Sequence, residues 1–297
     1  MVAVQPVDAP VPAPTVAQIE AIATAATRVD GVEPLGEQTL LDLRDPRAPV
    51  VHTVAVDPAG RVVGYAGLNE RDAPTAELVV APHARRCGVG GALLHQVRTV
   101  ATRLDPATLR VWAHGNLPAA RRLAARAGLS VRRELWRMEL DLALADADAE
   151  PDPPPGTRLR TFIVGQDEPA VLGVNARAFA WHPEQGGMTE EDLRARTGEP
   201  WFDPSDLLLL EQDDALLGFC WLKVEPGTDA GELYVLAVDP ASQGQGIGRY
   251  LTRLAVARLG GRSLSRAFLF TEADNAAAVR LYAAHGFART RVDVQYG

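Results

Sequence analysis

Lysine is almost absent from this chain: of 30 Lys plus Arg residues, Lys223 is the one lysine. Arginine is therefore the default cation, and Lys223 is either a site that requires a compact point charge or a codon that escaped the bias. An excess of positive charge is missing too. A formal net charge of −8 excludes a broad nucleic-acid or anionic-membrane surface, because neutralising phosphates needs clustered cations. A small cationic or polar substrate fits better. The two cysteines, Cys87 and Cys220, form no CxxC spacing, which excludes a disulfide framework or zinc knuckle and leaves both expected as reduced thiols. The six histidines (His52, His83, His95, His114, His182, His285) show no i, i+4 pair, so no metal is expected. No apolar run reaches the ~18 to 20 residues of a membrane span. The start, Met1 to Pro6, lacks a basic region followed by an apolar core. The expectation is a cytoplasmic monomer with no nucleic-acid or membrane partner.

With 297 residues and 47% hydrophobic content, there is chain enough for two domains. Residues 1–14, rich in Pro, Ala and Val without periodicity, read as a loose tail. Residues 145–157, acidic and then proline-rich, read as a linker. Domains are thus expected over 15–144 and 158–297.

The halves repeat each other. Val80-Ala81-Pro82 and Arg85-Arg86-Cys87-Gly88-Val89-Gly90 match Val238-Asp239-Pro240 and Gln243-Gly244-Gln245-Gly246-Ile247-Gly248 at a constant offset of 158. Gly128-Leu129 against Gly286-Phe287 keeps that offset. Upstream, each half reads as a hairpin (Val50 to Ala55 and Arg61 to Leu68; Leu207 to Glu211 and Leu216 to Val224) and a further strand (Glu77 to Val80; Glu232 to Val238). A helix follows each glycine run (Gly90 to Ala101; Gly248 to Leu259).

Glycines at a strand-to-helix junction let backbone N–H groups converge on an anion, and the helix dipole adds to the attraction. Alone this signal also fits a dinucleotide loop or a plain turn. The motif follows a hairpin and a third strand, however, and not an opening βαβ unit. Both halves resemble GNAT acetyltransferases, whose diagnostic element is a strand, a Q/R-x-x-G-x-G/A loop and a helix. In the second half, Asn275-Ala276-Ala277 through Tyr282 to Gly286-Phe287 also matches that family's N-x-A-A-x-x-x-Y-x-x-x-G-F signature. The resemblance implies an α/β (α+β) fold of two tandem GNAT domains with mixed, mostly antiparallel sheets. It implies acetyl-CoA as co-substrate, held at Leu78, Val79, Val80, Arg86, Cys87, Gly88, Val89, Gly90 and Gly91 in the first half. In the second half the corresponding contacts are Leu236, Ala237, Val238, Gln243, Gly244, Gln245, Gly246, Ile247, Gly248 and Arg249, with Asn275, Ala276, Ala277, Ala278, Val279 and Arg280 beside them.

Amide formation from a thioester needs a neutral amine and a proton for the departing thiolate. An α-amine titrates near ~7.7 to 8.0, within reach of a carboxylate acting through water. Glu232, near the start of its strand, is the base to test, although an exposed charge at a strand end would look alike. Tyr282, two helical turns after Asn275, is placed as general acid to the thiolate. Outside the motif it would read as a packing tyrosine. In the first half the same register puts Leu123 or Ala124 opposite Tyr282, and neither transfers a proton. Glu77 does not match Glu232 in position. The first half is expected to be non-catalytic.

Five further segments resemble the mycothiol-synthase branch of the family, the actinobacterial enzymes acting on cysteinyl-glucosaminyl-inositol. They are Val29 to Gln38, Trp112 to Gly115, His182 to Gly187, Trp201 to Pro204 and Val292 to Tyr296. That branch implies substrate contacts at Glu37, Glu184, Lys223 and Glu232, and a thiol-sugar acceptor. Where similar members carry a tyrosine before the Asn cap, this chain has Phe270, which keeps ring packing but loses a hydroxyl. Two alternatives stay open: a tandem GNAT acting on another amine, such as an aminoglycoside or a peptide N-terminus, and an acyl-CoA sensor without turnover.

Overall fold

The computed structural model describes residues 2–70, 73–102, 109–144, 150–182 and 185–297. The chain divides into two compact units, Met1–Glu134 with Val292–Gly297, and Leu135–Arg291.

The first unit contains β1 (Ala3–Val7), α1 (Ala13–Asp30), α2 (Glu37–Asp42), β2 (Val50–Val56), β3 (Val62–Asn69), β4 (Thr75–Val80), α3 (Val89–Ala101), β5 (Arg110–Ala113) and α4 (Pro118–Arg126). Strand β6 (Val131–Asp141) begins here and ends in the second unit. The second unit continues with β7 (Arg158–Thr161), α5 (Glu168–Ala178), α6 (Glu190–Thr197), β8 (Leu207–Gln212), β9 (Ala215–Lys223), β10 (Ala230–Val238), α7 (Ile247–Gly260), β11 (Arg266–Glu272), α8 (Ala276–Ala284) and the start of β12 (Ala288–Tyr296). Among the described residues, no helix is long and apolar enough to cross a membrane.

Each unit is a sheet between helical layers, and the burial pattern shows why. In α1, Ile19, Ile22 and Ala26 recur at helical spacing and meet Val54, Tyr65 and Val79 on one face of the sheet. Leu93, Leu94 and Val97 of α3 cover the other face, against Val63, Ala66 and Leu68. In the second unit the run Leu207 to Leu210 is fully buried, as expected of a strand covered on both sides. Leu207 and Leu209 face α5 and α6, whereas Leu208 and Leu210 face Leu251 and Leu254 of α7. Asp213 and Asp214, at φ +49° and +61°, close the β8–β9 hairpin as a two-residue turn of the primed type.

The 158-residue offset holds in three dimensions: α4 (Pro118–Arg126) maps onto α8 (Ala276–Ala284) residue for residue. Backbone conformation repeats with it, since Arg86, Gly88 and Gly128 share positive φ with Gly244, Gly246 and Gly286.

Two expectations change. Residues 1–14 are no loose tail: Ala3 to Val7 pair antiparallel with Val56 to His52, and Pro12 caps α1 from its N-terminus. Proline is tolerated at both places because an edge strand and a first helical turn leave N–H groups unused. The division of the chain also departs from a cut at 145–157. Leu135 to Asp141 pair with Glu272 to Arg266 in the second unit, and Val294 to Tyr296 pair with Ala113 to Val111 in the first. The last residues of the chain therefore complete the sheet of its first unit. Of the expected linker, residues 145–149 lie outside the described residues, and Glu150 is ion-paired to Arg258 of α7.

Candidate active site

Strand β10 leads into the glycine loop of the second unit. Asp239 turns the chain by accepting from Ala241 N at 3.0 Å, and Gly246 (φ +82°, ψ 0°) starts α7 without a side-chain cap. Among the described residues, the N–H groups of Gly244 to Arg249 find no acceptor. Consecutive unmet donors at a helix N-terminus make an anion cradle. The first unit repeats it, with Gly88 (φ +87°) starting α3 and the N–H groups of Arg86 to Gly91 likewise without acceptors among the described residues. Cys87 is exposed there, and Arg85 is held by Asp30 at 2.7 and 2.8 Å.

Next to each loop two parallel strands part. β10 pairs with β11 only at Ala230, Gly231 and Glu232, while its other edge stays paired with β9 as far as Val238. Leu236, Ala237 and Val238 thus present one open backbone edge, fit to pair with an extended chain. In the first unit β4 and β5 pair only at Thr75 and Ala76, which opens the same edge at Leu78, Val79 and Val80.

A β-bulge between Leu233 and Val235 sets which side chains of β10 face α5 and which face α7. Leu233 enters the core shared with α7, whereas Val235 and Ala237 enter the core shared with α5. The inserted residue turns the strand and puts Glu232 on the α5 face. Its cross-strand partners there are Lys223 and Phe268. Alternation along β11 adds Phe270 and Glu272 to the same face.

Lys223 Nζ lies 4.8 Å from the Trp201 ring centre and 5.5 Å from that of Tyr234. It also pairs with Glu225 at 3.0 Å. Tyr234 is fixed in turn by a 2.8 Å bond from Arg196 Nε to its hydroxyl. Phe270 carries the Arg291 guanidinium at 5.3 Å.

On α8, Asn275 caps the helix by accepting from Ala278 N at 3.1 Å. Ala276, Ala277 and Arg280 are exposed, with Ala278 and Val279 half-buried. Tyr282 is 8% exposed and packs edge-on against Phe287. Burial pushes its phenol well above the ordinary tyrosine range, so it is fully protonated at neutral pH, as a proton donor must be. Burial also pushes the Cys220 thiol up to about 12. Cys220 lies in the core shared with α7, where a buried thiol is inert.

The first unit carries different side chains at the matching places. The matched helices put Ala124 opposite Tyr282, and Leu117 caps α4 with no side-chain bond. Strand pairing puts Thr75 and Asn69 where the second unit has Glu232 and Lys223. Glu77 is engaged elsewhere. Its Oε1 lies 2.8 Å from His114 Nε2 and its Oε2 accepts from Gly36 N at 2.7 Å. His114 Nδ1 is 3.3 Å from Asp293, which also accepts from Gly115 N at 2.6 Å. Glu77 and Asp293 together raise the imidazole to about 10 against the opposing effect of burial.

Of the remaining expected contacts, Glu37 opens α2 of the first unit, and Glu184 lies outside the described residues. Sequence reasoning missed Glu272 and did not single out His182, whose Nε2 is 3.5 Å from Glu272 Oε1. The repeat held a signal for Glu272, since it stands 158 residues after His114.

Residues 175–287 match the Acetyltransferase (GNAT) family, and residues 49–128 match an Acetyltransferase (GNAT) domain. A GCN5-related N-acetyltransferase from Sphaerobacter thermophilus superposes with TM-score 0.70 at 25% identity, over 99% of this chain and 94% of that one. A tandem GNAT protein from the clavulanic acid biosynthesis pathway gives TM-score 0.76 at 21% identity over 100% and 98%, a likeness of fold. Paired glycine loops on splayed strands, duplicated in one chain, are thus those of a tandem GNAT acetyltransferase. Within that class, a mycothiol acetyltransferase of Cellulomonas flavigena is 49% identical over 94% of this chain and 84% of its own length. Those of Sanguibacter keddieii (47%; 93% and 91%) and Catenulispora acidiphila (48%; 95% and 94%) are similar over nearly their whole lengths. The chain belongs to the mycothiol acetyltransferase family.

Proposed function

We propose that this protein moves the acetyl group of acetyl-CoA to the cysteinyl amine of cysteinyl-glucosaminyl-inositol, with catalysis in the second unit. The reading rests on full-length similarity to mycothiol acetyltransferases. The observation that carries the choice of unit is that Glu232, Lys223 and Tyr282 have Thr75, Asn69 and Ala124 at the matching places of the first.

Acetyl-CoA is a substrate here, and the chain's open groups suit it. The N–H groups of Gly244 to Arg249 would take the pyrophosphate, and the free edge of Leu236, Ala237 and Val238 would pair with the pantetheine arm. Asn275 to Arg280 would flank it. Glu232 removes a proton from the ammonium, directly or through water. The amine attacks the thioester carbon, the C–N bond forms and the C–S bond breaks; Tyr282 gives its proton to the CoA sulfur and is reprotonated through solvent, which takes up the second proton that the nitrogen sheds as it becomes an amide. Lys223, fixed by two aromatic rings and Glu225, would orient acceptor oxygens, as would Glu37 and Glu184, with Phe270 packing beside them. The setting is the cytoplasm, the active species is a monomer, and no metal takes part.

The test is CoA release by Glu232→Gln. The account expects kcat/KM to fall at least a hundredfold while the Kd for acetyl-CoA stays within twofold; near wild-type turnover would remove Glu232 from the mechanism.

A further inference from the structure

Trp181 is the one large aromatic side chain left exposed among the described residues, at 54%. It follows α5, among described residues that are tied to one another. Asn175 Nδ2 donates to Gln185 O at 2.7 Å, and Gln185 Nε2 returns a 3.0 Å bond to Asn175 Oδ1. Gln185 N donates to His182 Nδ1 at 2.9 Å, and His182 N donates to Phe179 O at 2.8 Å. The His182 ring meets Phe179 and Trp181 edge-on, with centroids 6.4 and 5.4 Å apart.

Because Nδ1 accepts a backbone N–H, the imidazole carries its hydrogen on Nε2. That nitrogen faces Glu272 Oε1 at 3.5 Å. Glu272 ends β11 on the face that carries Phe268, Phe270 and Glu232. It stands one strand across from Glu232 and four residues along, about 13 Å of strand rise. That is the reach of an amino acid extended by two linked rings.

We infer that Trp181 is the platform for the sugar part of the acceptor, with His182, Asn175, Gln185 and Glu272 as its positioning residues; the inference rests on the acceptor proposed above. A pyranose or cyclitol has an apolar C–H face and a hydroxyl rim. A broad exposed indole, its ring steadied by His182, complements the apolar face. Glu272 is too buried to serve as a direct contact, so its role is to hold His182, and through it the indole.

The experiment compares wild type, Trp181→Ala, Trp181→Phe and Glu272→Gln by CoA release. One acceptor is cysteinyl-glucosaminyl-inositol and the other is L-cysteinamide, which has no sugar. Trp181→Ala is expected to raise KM for the full acceptor roughly tenfold, the size of one lost aromatic contact, with kcat and the KM for acetyl-CoA within twofold. Trp181→Phe recovers most of the loss, and Glu272→Gln shifts the same KM in the same direction. With L-cysteinamide all four proteins give equal kcat/KM. An unchanged KM for the full acceptor, or an equal loss with both acceptors, overturns the inference while leaving the proposed function standing. A wild type inactive with both acceptors removes the proposed function, and this inference with it.

Discussion

Replacing His114 by alanine would remove the imidazole that lies between two buried carboxylates of the first unit, Glu77 and Asp293. Glu77 and Asp293 are 8% and 1% exposed. With the imidazole gone, each loses that partner, while Gly36 N still donates to Glu77 and Gly115 N to Asp293. Breaking a buried ion pair from one side costs about 3 to 5 kcal/mol. The rise of His114 from 6.5 to about 10 points the same way, at about 1.4 kcal/mol per unit. Because the folded value lies above the unfolded one, the stabilisation is fully present below pH 6.5 and fades as pH climbs through about 10. Glu77 is held below its ordinary range, chiefly by His114 acting against burial. Its contribution is present above pH 4.5 and lost as pH falls through its folded value. Urea denaturation followed by circular dichroism from pH 3 to 10 reads both effects. Wild type should lose several kcal/mol across the alkaline half, and His114→Ala should start lower and run flatter. A variant within 1 kcal/mol of wild type at pH 6, or one with the wild-type alkaline slope, would refute the reasoning.

Three further outcomes are expected. Truncation after Arg291 removes the β5 pairings and Asp293, so limited proteolysis should cut the first unit sooner than the second; equal protection of both would contradict the unit boundaries. Tyr282→Phe should lower kcat about a hundredfold or more with the Kd for acetyl-CoA within twofold, as read by calorimetry. Gly246→Ala meets no atom within 4 Å but keeps φ +82°, a conformation costing about 1 to 2 kcal/mol for a residue with a Cβ. Binding of acetyl-CoA by the second unit should weaken roughly tenfold, whereas Gly88→Ala should leave kcat unchanged.

The repeat was legible because local rules set it: glycines start α3 and α7, Asn275 caps α8, and the intervening lengths are fixed. Both hairpins and both loops could be read from spacing. What the spacing hid was non-local. Nothing local tells that Val292 to Tyr296 would pair in the first unit, because a strand's partner is chosen by the whole sheet. Strand β1 was hidden by its prolines, which an edge strand accommodates. The bulge at Tyr234 shifts strand parity by one, so periodicity alone could not say that Glu232 shares a face with Lys223, Phe270 and Glu272. The Glu77–His114–Asp293 contact joins residues as far apart as 216 positions, beyond any motif. Glu272 was passed over as the end of a strand.

The most direct test of the central claim is release of free CoA thiol from acetyl-CoA by the purified protein, with cysteinyl-glucosaminyl-inositol set against aminoglycosides and peptide amines. The account predicts strong preference for the cysteinyl pseudodisaccharide, with its turnover cut at least a hundredfold by Glu232→Gln. Equal or greater turnover of another amine would contradict the acceptor assignment, and no release with any amine would contradict catalysis itself.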